Sequence, residues 1–280
     1  MRKITNYGAS NFRKLLNAAH KNNLDFNILL KRYIQERFLY RLSKSPYREN
    51  FILKGGLLLV TIDTPASRPT IDIDLLMQNL SMGKILNVFK EIFTVDYPDG
   101  VSFDSSSLES EPITKDGAYH GTRIKFKAYF NGSRNDMSID LGLGDCVTNP
   151  RKITFPTILD EDSPVLTAYS LETIVAEKVE AMAKLLISNS RMKDFYDVYT
   201  ILNMHPIAND KLIKAIKSTF ENRKTKLENL NTVFSSDFYN SDKKQVQWEA
   251  FLRKNEIINV PVKFSEIVKN IEKKLPVNKK

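Results

Sequence analysis

Two aspartates separated by one residue give this sequence its clearest chemical signal. Asp72 and Asp74 flank Ile73 within KGGLLLVTIDTPASRPTIDIDLLM, residues 54–77. Strand alternation places Asp72, Asp74 and Leu76 on one face and Ile71, Ile73 and Leu75 on the other. Two carboxylates on one half-buried face repel each other and are costly to desolvate without a partner. A divalent cation is the simplest compensation. All-oxygen ligation suits Mg²⁺ or Mn²⁺ and argues against zinc. Just upstream, Gly55 and Gly56 let the backbone approach a phosphate closely. Arg68 and Thr70 lie between the glycines and the acids and join them as nucleotide-binding candidates. For Arg68 an ordinary surface arginine is an equal alternative.

A third acid stands further on. Residues 122–130 alternate, Asn131-Gly132 is a strong hairpin signal, and residues 137–144 return. Asp140 then shares a strand face with small or polar residues. A neighbouring strand bearing it would complete a metal cage with Asp72 and Asp74; an acid on a solvated strand face is the alternative.

Lys178 is out of place. It falls in the middle of an apolar helical stripe of Leu171, Ile174, Val175, Met182, Leu185 and Leu186. Such a lysine either extends to solvent or meets a buried negative group, which in a phosphate-handling site would be the nucleotide. Methionine there is expected to keep or raise stability by restoring the stripe. Asp194 opens the next helix, where it favours the helix dipole or faces Lys178. Asp197 reads as a structural ion-pair partner for Arg191 or Lys193.

The elements that must position these groups are mixed. Helix is expected over residues 9–45, a short strand at 50–54, a short helix at 57–62, the acid-bearing strand at 70–77, and a helix at 83–93. Residues 96–117 read as irregular with a short strand or two, and 150–156 hold another short strand. Ser170 is a good N-cap for the Lys178 helix. Basic helices follow near 211–220, 245–253 and 264–274. The class is α+β, with an N-terminal helical segment (1–48), an α/β core (49–165) and a C-terminal helical domain (166–280).

The chain has 280 residues and a formal net charge of +9, which favours anionic partners. Its single cysteine, Cys146, excludes an intrachain disulfide, and His20, His120 and His205 lack metal-ligand spacing. There is no signal-peptide core and no apolar run near the roughly 20 residues of a membrane span. A cytoplasmic protein is expected.

The order of strand, glycine pair, acid-x-acid strand and later acid resembles the polymerase-β-like nucleotidyltransferase superfamily. The motifs FILKGGLLL, RPTIDIDLL, ETIVAEKVEAM and NSRMKDFYDVY, in this order, resemble the AbiEii/AbiGii-type nucleotidyltransferase toxins of toxin–antitoxin and abortive-infection systems. That resemblance implies a polymerase-β-like core. It implies a toxin that moves a nucleotide from NTP, with Mg²⁺, onto an RNA acceptor such as the tRNA 3′ end. It also implies an antitoxin encoded beside it. It makes Asp72, Asp74, Lys178 and Asp194 the catalytic set, with Asp140 as the superfamily's third acid. Two other readings are a nucleotidyltransferase acting on an antibiotic, against which the basic excess argues, and a catalytically idle nucleotide-binding module.

Overall fold

The computed structural model describes residues 6–62, 70–115 and 118–278. Arg68, one of the nucleotide-binding candidates, lies outside these. The chain divides into two compact units, one drawn from Met1–Asp63, Pro69–Gly144 and Arg151–Ala168, the other from Asp145–Pro150 and Tyr169–Lys280.

The first unit opens with two helices, α1 (Tyr7–Asn22) and α2 (Phe26–Lys44). The single helix expected over 9–45 is broken for a local reason. Asn23 adopts φ 52°, and its N–H closes α1 on the Ala19 and His20 carbonyls. Asp25 then caps α2 by accepting from the Ile28 N–H at 3.0 Å. Apolar periodicity alone runs through this break. Both helices belong to the same unit as the sheet, so residues 1–48 do not form a compact unit of their own.

The chain continues through β1 (Phe51–Lys54), α3 (Gly55–Leu58), β2 (Ile73–Met77), α4 (Ile85–Phe93), β3 (Val101–Lys115), β4 (Ala118–Phe130), β5 (Ser133–Leu143), β6 (Arg151–Thr154) and β7 (Val165–Ala168). The described strands form one mixed sheet in the order β3-β4-β5-β2-β1-β7-β6. Strand β2 runs parallel to β5, and β1 parallel to β7; the other pairs are antiparallel. Most of the stretch 96–117, expected to be irregular with a short strand or two, is one long edge strand, β3. Its serine-rich middle has no alternation of its own. Pairing with β4 orders it, with a register shift between Asp104 and Glu109.

One face of this sheet is apolar. Ile73, Leu75, Ile124, Phe126, Ile139 and Leu141 are buried there. Phe38 of α2 packs on Phe126 at 6.0 Å and stacks on Phe89 of α4 at 5.8 Å. Burying each such ring stabilises by about 1.5–3 kcal/mol. Arg41 ties α2 to the start of β3, donating to both oxygens of the buried Asp99 (2.8 and 3.1 Å) and to the Val101 carbonyl (2.8 Å).

The second unit is helical: α5 (Leu171–Leu185), α6 (Met192–Met204), α7 (Asn209–Asn222), the short α8 (Leu230–Val233) and α9 (Ser236–Tyr239), α10 (Asp242–Lys254) and α11 (Phe264–Lys274). Ser170 caps α5 as its sequence suggests, accepting from the Thr173 N–H at 3.2 Å. Trp248, Phe195 and Phe264 are fully buried, with Phe195 edge-on to Phe264 at 5.0 Å. No helix among the described residues is long and apolar enough to cross a membrane.

Candidate active site

The acids of the first unit stand on the sheet face opposite the Phe38 core. Strand register places them in one row. Lys54 of β1 lies opposite Asp74 of β2, Asp74 beside Asp140 of β5, Asp140 opposite Arg123 of β4, and Arg123 opposite Glu111 of β3. Residues opposite one another in neighbouring strands share a face and interact. Asp74 and Asp140 are therefore adjacent like charges with basic residues at both ends of the pair.

Asp72 lies just before β2, so only Asp74 of the two is on the strand itself. Both are half-buried. Ser138 of β5 donates to Asp72 Oδ1 at 2.6 Å, fixing that carboxylate. The approach to Asp72 is held from α2: Gln35 Nε2 donates to the backbone carbonyls of Ile71 (2.8 Å) and Thr70 (3.4 Å). Lys31, one turn earlier on α2, donates to the Asp136 carbonyl. Burial lowers its pKa, partly offset by Asp72 and Asp136.

Gly55 sets the position of Asp74. Its φ of +70° is a left-handed conformation, and an added Cβ would lie 2.6 Å from the Asp74 Cβ and closer still to the carboxylate. Glycine is thus required twice over, by backbone conformation and by the side chain opposite.

Asp140 has both oxygens engaged. Arg123 Nε donates to Oδ1 at 2.7 Å and Nη2 to Oδ2 at 2.8 Å. These hydrogen bonds hold the Arg123 pKa above its usual value against partial burial, with the Asp140 and Asp72 charges adding to the effect. Among the described residues no three His, Cys, Asp or Glu side chains are gathered as a metal-holding group. Asp72 and Asp74 supply hard oxygen donors of the kind Mg²⁺ or Mn²⁺ takes, and Gly55 keeps the space beside Asp74 clear.

The second unit brings Lys178 and Asp194 together. Lys178 Nζ donates to Asp194 Oδ1 at 2.9 Å and to Asp197 Oδ2 at 2.6 Å. Arg191 adds an ion pair to Asp194 Oδ2 at 2.7 Å. The buried negative group that the apolar stripe demands is thus supplied by α6. Burial opposes the charge on Lys178, but the two aspartates outweigh it and raise its pKa. Burial likewise opposes the Asp194 carboxylate, and Lys178 and Arg191 outweigh it and lower its pKa. Asp197 pairs with Lys178, a partner that the sequence reading did not give it. Its spacing of three from Asp194 was the available signal, since that puts both on one helix face.

A second ionic cluster lies one residue earlier on α5. Arg223, at the end of α7, bridges Asp145 (2.8 Å), Glu177 (2.8 Å) and Glu180 (2.9 Å). Burial opposes its charge, and Glu177 and Asp145 outweigh that and raise its pKa. Arg223 lies in the basic run ENRKTK, residues 221–226, which by itself reads as a solvated loop. Nothing in its local sequence points to acids more than forty residues away.

The family model "Nucleotidyl transferase AbiEii toxin, Type IV TA system" matches residues 37–270. Among solved structures, an H. pylori protein described as a nucleotidyltransferase superposes with a TM-score of 0.55 at 12% identity, covering 92% of this chain and all of its own. JHP933 from Helicobacter pylori superposes equally, with a TM-score of 0.55 at 13% identity over 90% of this chain and 94% of its own. At these identities the likeness speaks for a shared fold. No curated protein matches the chain at a significant level.

Proposed function

The chain belongs to the AbiEii nucleotidyltransferase toxin family of type IV toxin–antitoxin systems, and from that premise we propose that it transfers a nucleoside monophosphate from an NTP to an RNA acceptor. The 3′ end of a tRNA is the acceptor we favour, and the cytoplasm, where NTP and tRNA meet, is the compartment. The net charge of +9 suits an RNA partner.

The observation that carries the reading is the half-buried pair Asp72 and Asp74, each held by its own device, Ser138 for one and Gly55 for the other. These two would hold Mg²⁺ or Mn²⁺, which when bound supplies neutralisation of the triphosphate and polarisation of the reacting phosphorus. The chain's own contribution is positioning. Ser138 fixes the orientation of Asp72 and Gln35 fixes the backbone before it. The amides of Gly55 and Gly56 face the phosphates without side-chain obstruction. Arg68 and Thr70 belong to the same nucleotide-binding set. In the second unit Lys178 donates to Asp194 and Asp197, and by family likeness Lys178 and Asp194 belong to the proposed catalytic set. The bond formed joins an acceptor hydroxyl oxygen to the α-phosphorus; the bond broken releases pyrophosphate. The partner outside the reaction is an antitoxin encoded by the adjacent gene.

The test is incubation of total RNA with each labelled NTP and Mg²⁺, comparing wild type with Asp72→Ala. Label entering an RNA band with wild type and not with the variant, both equally folded by circular dichroism, supports the reading. Equal labelling by the two, or none with any NTP, refutes it.

A further inference from the structure

We infer that Asp140 and Arg123 act as one element, in which Asp140 positions Arg123 and Arg123 binds the phosphates of the donor nucleotide. Asp140 is then a positioning residue and not the third metal ligand. The inference rests on the NTP donor of the proposed function.

The sheet register carries the first part. Asp140 stands between Asp74 on one side and Arg123 on the other, in one cross-strand row. Placed beside Asp74 it repels that carboxylate unless a cation answers it. Arg123 supplies the cation through a two-pronged fork, with both donor–acceptor distances under 3 Å. A carboxylate whose two oxygens are both in such a fork must break at least one charge-assisted hydrogen bond before it can ligate a metal.

The guanidinium carries the second part. It has five N–H donors, and Asp140 takes only the Nε and one Nη2 hydrogen. Among the described residues Nη1 has no partner, and the side chain is 35% exposed. The unused donors are therefore accessible, fixed in orientation, and one strand removed from Asp140 and two from Asp74. A planar, permanently charged fork with spare N–H groups matches phosphate oxygens, and a lysine ammonium would not hold the same orientation. A half-exposed ion pair adds little to sheet stability, so a purely structural role leaves the fork and its spare donors without a reason.

The test uses the full chain and direct binding. Mn²⁺ affinity is read by electron paramagnetic resonance without nucleotide. Affinity for non-hydrolysable NTP analogues is read by calorimetry with and without Mn²⁺. Asp140→Asn and Arg123→Lys should each keep Mn²⁺ affinity within about twofold and weaken the triphosphate by about ten- to a hundredfold, the range for losing a charge-assisted hydrogen bond. The double variant should be no worse than Arg123→Lys alone, because the two residues act as a unit. Loss of Mn²⁺ affinity in Asp140→Asn makes Asp140 a ligand and overturns the inference. Unchanged nucleotide affinity in a folded Arg123→Lys overturns it as well. A wild type that binds none of the analogues removes the donor reading itself, and this inference with it.

Discussion

Gly55 and Asp74 are in such close apposition that no side chain fits at position 55: an added Cβ would stand 2.6 Å from the Asp74 Cβ. The glycine of the turn and the acid of the strand are one device. It ties the local backbone conformation at the end of β1 to the orientation of a carboxylate on β2.

Gly55→Ala should therefore disable transfer through Asp74. Gly132 provides the comparison, since it also has a positive φ, +80°, but nothing lies within 4 Å of an added Cβ. Both substitutions incur the left-handed penalty of about 1–2 kcal/mol. Only Gly55→Ala should also lower transfer, by about a hundredfold, the scale of a 1 Å misplacement at a reacting centre. Equal rates for the two variants would show that Asp74 does not depend on the glycine.

Lys178→Met is expected to destabilise, the reverse of what the apolar stripe alone implies. The lysine is the shared counter-ion of two buried acids, Asp194 and Asp197. Removing it strands their charge at a cost of about 3–5 kcal/mol. Chemical denaturation should show that loss, and adding Asp194→Asn and Asp197→Asn to the variant should recover most of it. A Lys178→Met protein as stable as wild type would mean the pairs carry no weight.

The same ion pairs set a pH window. Asp194 has a lowered folded pKa, so its contribution is present above the unfolded value of about 4 and is lost as pH falls through the folded value. Lys178 has a raised folded pKa, so its contribution is full below the unfolded value of about 10.4 and is lost as pH rises through the folded value. The stability difference between wild type and the triple neutral variant should be flat between these limits and shrink outside them. A difference that shrinks near pH 7 would contradict the assignment.

Arg41→Met should unfold the first unit more readily by about 3–5 kcal/mol, because it leaves the fully buried Asp99 without its cation. Arg41→Lys should recover little, since a single ammonium cannot reproduce the fork to Asp99 and the bond to the Val101 carbonyl together. Thermal melts of the two variants, compared with Arg41→Met/Asp99→Asn, decide this.

Much of the frame was legible because its causes are local. Asn131 and Gly132 take φ values of 47° and 80° and turn β4 into β5, as an Asn-Gly pair between alternating segments demands. Ser170 caps α5, and the apolar residues of β2 and β5 alternate as read. Strand β3 was illegible because an edge strand of serines and acids has no periodicity apart from the partner that pairs it. The break between α1 and α2 turned on the backbone of one asparagine, which apolar spacing cannot register.

The candidate site divides along the same line. The sequence by itself determined that Asp74 and Asp140 stand on charged strand faces, because side-chain direction in a strand follows from a period of two. It also determined that Lys178 stands on a buried helical stripe, where it either extends to solvent or meets negative charge. Only the tertiary structure decided who the partners are. Register, fixed by pairing across three strands, set Arg123 against Asp140 and Asp140 beside Asp74. Packing of α6 on α5 gave Lys178 two aspartates, sixteen and nineteen residues further on. Periodicity tells where a charge points; which charge answers it depends on contacts between segments distant in the chain, and no local pattern encodes those.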